Sequence, residues 1–254
     1  MQLKHAICRS IPDSFDRAIA QNRPASPINV QIARQQHQGY VRTLRSLGLQ
    51  VTVLPGDSAL PDCCFIEDCA VCADGTAMIT RLGADSRRGE EQAAAEALKP
   101  NAHLEWMAAP ATLDGGDCLR MGSRLFLGRS QRTNAAGIDR LRAVFEPLGF
   151  EVIEIPLGPI LHLKCVCSGL DDDRVLLAEH TISPEFFAGK RVVRIPAAEA
   201  HAANCVCVNG TVLLAAGCPE SHRIIHAEGL DVIELDMSEF RKADGSMTCL
   251  SILL

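Results

Sequence analysis

Five short stretches of the chain place a cysteine beside residues that can do chemistry. They are Glu67-Asp68-Cys69, Asp114-Gly115-Gly116-Asp117-Cys118, His162-Leu163-Lys164-Cys165, Asn204-Cys205 and Thr248-Cys249. Brought together, they offer carboxylates, one imidazole and a thiol. The carboxylates suit a planar cation with a fork of N–H donors, because carboxylate and guanidinium match two hydrogen bonds at a time. A held guanidinium carbon is electrophilic. A thiolate can attack it, and an imidazole can protonate the departing amine and then activate water. These roles describe cleavage of a guanidinium C–N bond through a cysteine-bound intermediate. Arg87 and Arg132 sit where an apolar run gives way to a helical stretch. Free arginines at the mouth of such a pocket would receive a carboxylate on the ligand. Each residue alone has a plainer reading. His162 between two leucines fits a core histidine, Asp114-Gly115-Gly116-Asp117 fits turn chemistry, both arginines fit solvated helix ends, and a buried cysteine is inert by default. Their shared place in a repeat is what joins them.

The repeat is visible in the cysteines at 69, 118, 165, 205 and 249, which follow one another at intervals of 49, 47, 40 and 44 residues. The first four are followed by a second apolar run: Ala77–Thr80, Leu125–Leu127, Val175–Ala178 and Val212–Ala215. Asp74-Gly75, Gly122-Ser123 and Asn209-Gly210 supply hairpin turns. Helical stretches come next. Ser26 reads as a cap with Pro27 opening a helix whose face carries Ile28, Ile32, Tyr40, Leu44 and Leu47, ended by Gly48. Ile138, Leu141, Phe145 and Leu148 form another amphipathic face, and the fourth helix, Ser183–Phe187, is short. Third strands follow at Val51–Leu54, Leu104–Met107, Val152–Ile155, Val192–Ile195 and Val232–Leu235. The expected module is ββαβ, repeated five times. Cys249–Leu253 is expected to pair with His5–Cys8 and complete the last module. So small a unit cannot bury its apolar face alone, so the modules must pack on one another. A closed ring would gather Glu67, Asp68, Asp114, Asp117, His162, Lys164, Asn204, Thr248 and Cys249 at its axis.

Composition narrows the function classes. The 254 residues are 47% hydrophobic and 22% charged, with a net charge of −6. This is a globular composition, read as one domain over residues 1–254. No Lys/Arg run reaches five residues, so no nucleic-acid partner is expected. The longest apolar runs fall far short of a bilayer span, so no membrane partner is expected either. The N-terminus has no signal-peptide layout, and the twelve cysteines are expected to be thiols in the cytoplasm. The Cys-x-Cys pairs at 165/167 and 205/207 put both side chains on one strand face, which fits packing better than metal.

As a set, these motifs resemble the dimethylarginine dimethylaminohydrolases of the guanidino-modifying superfamily. The matching stretches are Leu60–Asp68, Ile79–Arg81 with Ser86–Arg88, Thr112–Asp117, Arg132–Asn134, Leu161–Lys164, Ala202–Cys205, Met237–Glu239, Asp244–Gly245 and Thr248–Cys249. The resemblance implies an α/β fold, a five-fold pseudosymmetric α/β-propeller. It implies hydrolysis of Nω-methylated L-arginine to L-citrulline and dimethylamine or methylamine, with Cys249 as nucleophile, His162 as general acid/base and Asp114 orienting His162 and the guanidinium. Asp68 and Glu67 would hold the guanidinium, and Arg87 and Arg132 the α-carboxylate. Asp62, Phe65, Ala243 and Asp244 would contact the amine and main body of the substrate. A lid near Phe15–Ala20 would contribute Ile19 or Ala20. The implied partner is the small-molecule substrate, on a monomer or homodimer. No cofactor or metal is expected, and Zn²⁺ at Cys249 and His162 would at most inhibit. The competing expectations are an arginine deiminase or other guanidino hydrolase, and a non-catalytic binder of cationic amino acids.

Overall fold

The computed structural model describes residues 2–21 and 24–254. The described residues form five three-stranded sheets, each with the same connectivity. The first contains β1 (His5–Arg9), β2 (Gln50–Leu54) and β15 (Ile252–Leu253). The others are β3 (Ala70–Ala73), β4 (Thr76–Ile79) and β5 (His103–Trp106); β6 (Cys118–Met121), β7 (Arg124–Arg129) and β8 (Glu151–Pro156); β9 (Cys167–Gly169), β10 (Arg174–Ala178) and β11 (Arg191–Ile195); and β12 (Val206–Val208), β13 (Thr211–Ala215) and β14 (Asp231–Leu235). In every sheet the central strand is antiparallel to a hairpin or closing partner and parallel to the third strand. Asp74-Gly75 and Asn209-Gly210 turn their hairpins with both residues at positive φ, the geometry that matches strand twist. A parallel pair needs a crossover. Here it is α1 (Val30–Ser46), α2 (Glu91–Leu98), α3 (Ala135–Phe145), the 3₁₀ turn Pro184–Phe187, and α4 (Pro219–Ala227). A further short helix, α5 (Ser238–Arg241), follows β14.

Strand alternation builds the ring. Successive residues of a strand face opposite sides. On β1, Ala6 and Cys8 enter one apolar cluster with β13 residues Leu213 and Ala215, while Ile7 enters another with Ala77 and Ile79 of β4. On β7, Leu125 and Leu127 pack with Met78, whereas Phe126 packs with Val175 and Leu177 of β10. Leu176 and Ala178 then meet Val212 and Leu214. The core is thus five clusters, one in each gap between neighbouring sheets, and the circle closes. Each large side chain so buried contributes roughly 1.5–3 kcal/mol. This is the expected propeller of five modules. No helix among the described residues is long and apolar enough to cross a membrane.

Two local expectations fail. Asn29, not Ser26, caps α1: its side chain accepts from Gln31 N and Ile32 N at 3.0 and 3.1 Å. The Asn29 N–H itself donates to Glu239 Oε2 at 2.7 Å, a tertiary anchor that sets the helix start three residues late. Ile32 is consequently exposed. Cys249 does not belong to the closing strand. It lies in a 3₁₀ turn, Thr248–Leu250, and pairing with β1 begins at Ile252.

Candidate active site

Each first strand of a module except β1 is entered from a 3₁₀ turn, and so is β15. The turns are Ile66–Cys69, Gly115–Asp117, Leu163–Cys165, Ala197–Ala203 and Thr248–Leu250. They pack on one another around the axis, and Thr248 N donates to Asn204 Oδ1 at 3.0 Å to complete the circle. A 3₁₀ turn advances about 120° per residue, so adjacent side chains point apart. That rotation distributes the polar residues along the axis.

Asp68, Asp114 and His162 are buried, and one ligand atom from each lies within 4.8 Å of the others. His162 Nε2 is 3.0 Å from Asp114 Oδ2, which leaves Nδ1 to serve a substrate. Asp114 Oδ1 accepts from Gly83 N at 2.8 Å, so the carboxylate that orients His162 is itself fixed. Asp68 Oδ1 accepts from Gly116 N at 2.9 Å. A Cβ on Gly116 would stand 2.9 Å from both Asp68 Oδ1 and His162 Nδ1, so only glycine admits this approach. Burial alone would lower the His162 pKa. The carboxylates of Asp68, Asp114 and Asp117 overcome it and push it up to about 9. Burial would raise Asp68, but His162 and Arg87 pull it down to about 2. At neutral pH the site therefore holds an imidazolium among carboxylates.

Cys249 is half-buried, with Asn204 Nδ2 3.9 Å from its Sγ. Burial, then the charges of Glu67 and Asp68, push the thiol up to about 12. Its turn packs directly on Ile66–Cys69. A cavity of about 300 Å³ opens beside these turns, lined by Leu161, Cys165, Asn204, Asp244 and Ser246 among others. Among the described residues, Asp68, Asp114 and His162 form the group of three whose ligand atoms lie close enough to meet one cation.

Two expectations need correction. Glu67 does not join Asp68. Its Oε1 receives Lys164 Nζ at 2.6 Å, and both line a separate cavity of about 620 Å³ at the other end of the axis. Nor is Arg87 a free arginine. It is buried, with Nη1 on Asp68 Oδ2 at 2.7 Å, Nε and Nη2 on Glu90, and Nη2 also on the Phe65 carbonyl at 3.2 Å. Of the five guanidinium N–H groups, one on Nη1 remains to be offered. Arg132 is the freer of the two: it is half-buried, with Nη1 3.8 Å from Asp114 Oδ2 and without a hydrogen-bond partner.

The remaining predicted residues meet at the N-terminal segment. Asp62 Oδ1 accepts from Ile19 N at 3.0 Å, and Asp244 Oδ2 from Gln21 N at 2.5 Å, so two carboxylates clamp the stretch containing Ala20. Phe65 is buried in a cluster with Phe15 and Phe240, centroids 5.7 and 6.4 Å away, beneath that stretch. Ala243 is buried in the same apolar cluster. Glu90 was not anticipated. The Arg87-x-x-Glu90 spacing, three residues on a helical turn, was its signal.

A family model described as N,N dimethylarginine dimethylhydrolase, eukaryotic, matches residues 9–209. The N(G),N(G)-dimethylarginine dimethylaminohydrolase of Pseudomonas aeruginosa is 35% identical over 98% of both chains. That of Streptomyces coelicolor is 33% identical over 100% of this chain and 98% of its own. A solved structure of the Pseudomonas aeruginosa enzyme, a cysteine-to-serine mutant complexed with citrulline, superposes with a TM-score of 0.96 at 34% identity over the whole of both chains. A dimethylarginine dimethylaminohydrolase whose histidine-to-glycine variant forms an adduct with S-methyl-L-thiocitrulline gives the same TM-score and identity.

Proposed function

The chain belongs to the dimethylarginine dimethylaminohydrolase family, and from that premise we infer that it hydrolyses Nω-methylated L-arginine to L-citrulline and dimethylamine or methylamine. The observation that carries this reading is the His162–Asp114 pair held beside Asp68, with the Cys249 turn on the same axis. Asp68, ionised across the working range, receives the substrate guanidinium. That added positive charge offsets the carboxylates that hold the Cys249 thiol protonated, so the thiol gives its proton to solvent and thiolate forms where the electrophile sits. Attack on the guanidinium carbon gives a tetrahedral adduct. His162, already protonated, gives its proton to the departing amine, and the thiouronium remains on sulfur. The now neutral imidazole takes a proton from water, whose oxygen bonds to the same carbon; the C–S bond then breaks, the hydroxyl proton passes to the departing sulfur, and citrulline leaves with Cys249 restored as a thiol. At the rim, Arg132 and the remaining Arg87 N–H hold the α-carboxylate. Asp62 and Asp244, which clamp residues 19–21, place the N-terminal segment over the substrate.

The reacting groups all come from one chain, so the reading holds for a monomer or a homodimer. Twelve free thiols fit the cytoplasm. The test is citrulline release from arginine, monomethylarginine and dimethylarginine, with Cys249→Ser and His162→Gly as controls. Turnover of the methylated substrates, lost in both variants, is the expected result. Faster turnover of arginine, or full activity in Cys249→Ser, overturns the reading.

A further inference from the structure

Asp117 is fully buried, yet its carboxylate holds three separate parts of the site. Oδ2 accepts from Ser130 Oγ and from Thr133 Oγ1, both at 2.6 Å. Oδ1 accepts from the backbone N–H of Leu163, next to His162, at 3.0 Å. Both hydroxyls pass the constraint on. Ser130 Oγ accepts from Arg132 N at 3.0 Å and Thr133 N at 3.2 Å, which folds the rim loop that presents Arg132. Thr133 Oγ1 accepts from Asp114 N at 3.2 Å. Thus one carboxylate sets the backbone under His162, under its partner Asp114 and under Arg132. Room is kept for it: a Cβ on Gly128 would lie 2.7 Å from Asp117 Oδ1. A buried carboxylate with three hydrogen bonds and no ion pair of its own is an unusual expense for packing alone: burial pushes it up to about 6 against the pull of His162 and of its three donors.

We propose that Asp117 is a positioning residue: through Ser130, Thr133 and the Leu163 N–H it fixes the spacing between the rim arginine, Arg132, and the His162–Asp114 pair. This rests on the reading of the site as an amidine hydrolase, and it adds a division of labour. The Ser130 arm governs where the substrate carboxylate is held. The Thr133 and Leu163 arms govern where the imidazole stands relative to the reacting carbon.

Four variants test it. In Asp117→Asn one acceptor oxygen becomes an NH₂ facing donors. We expect kcat/KM for dimethylarginine to fall roughly 100-fold, the loss that a displacement of about 1 Å produces, with KM raised and kcat lowered together. Ser130→Ala should raise KM about tenfold with kcat within about twofold. Thr133→Val keeps the shape and loses the hydroxyl, and should be impaired. Thr133→Ser keeps the hydroxyl and loses the methyl, and should work like the parent; if packing were the role, the order would reverse. An NMR titration of the His162 ring gives a readout that needs no substrate. The charged groups acting on it are Asp68, Asp114 and Asp117, with Arg87 on Asp68 and Arg132 beside Asp114. Asp117→Asn should move its midpoint to lower pH while the melting profile still shows a folded protein. Loss of methylarginine turnover in the parent protein would sink the assigned reaction and leave this titration standing as the test. An unmoved titration, an unchanged KM in Ser130→Ala, or Thr133→Val outperforming Thr133→Ser overturns the proposal.

Discussion

Glu67 and Asp68 are neighbours in the chain and face opposite ends of the ring's axis. At one end, Glu67 meets Lys164 at 2.6 Å, one carboxylate against one ammonium. At the other, Asp68, Asp114 and Asp117 stand around His162 and Arg87, more acids than permanent cations. The first end is neutral by itself. The second holds a proton on His162 and keeps the Cys249 thiol protonated, and is still left with one negative charge in surplus, room for one more positive charge. A balanced buried pair makes structure, whereas a surplus of one sign makes a place for a ligand.

The comparison can be broken at either end. The largest effect is expected from His162→Gln, which removes the proton donor from the acidic end. Its kcat should fall about 10²–10⁴-fold in the citrulline assay while the fold is retained. Next comes Lys164→Met, which leaves Glu67 buried and unpaired. Chemical denaturation should show a loss of about 3 kcal/mol, with kcat/KM of the folded protein changed by less than about threefold. An equal loss of activity would mean that the two ends are not separate. The third expectation concerns pH. His162 is raised in the fold from its ordinary 6.5 to about 9. Its stabilising contribution is therefore complete below pH 6.5 and lost as pH rises through 9. The stability gap between the parent and His162→Gln should shrink over that window, and kcat/KM should fall above pH 9 as the proton leaves. A flat profile from pH 7 to 10 would refute it. The smallest effect belongs to the double variant Glu67→Gln, Lys164→Met. With no charge left uncompensated, it should lie within about 1 kcal/mol of the parent.

Much of this architecture was legible in the residues. The cysteine-marked segments and the third strands recur five times, turn chemistry marks three of the hairpins, and alternation along each central strand needs only two neighbours to satisfy it. The His162, Asp114 and Asp68 grouping followed once the repeats were closed into a ring. Most of what stayed hidden depends on contacts distant in sequence. Glu67 and Asp68 were read as one acidic floor, but the 3₁₀ turn rotates them apart, and Lys164, 97 residues away, takes the first. Arg87 read as free because Asp68 and Glu90 come together around it only in the fold. Ser26-Pro27 is a sound local helix start. It lost to Asn29 because Glu239, 210 residues on, holds that residue's N–H.

The closing strand β15 lies three residues beyond Cys249, and it pairs with β1 at the other end of the chain. The turn that carries the thiol is therefore anchored on both sides, by the Asn204 bond to Thr248 N before it and by the β15–β1 pairing after it. Loosening the pairing that closes the ring would loosen the Cys249 turn with it.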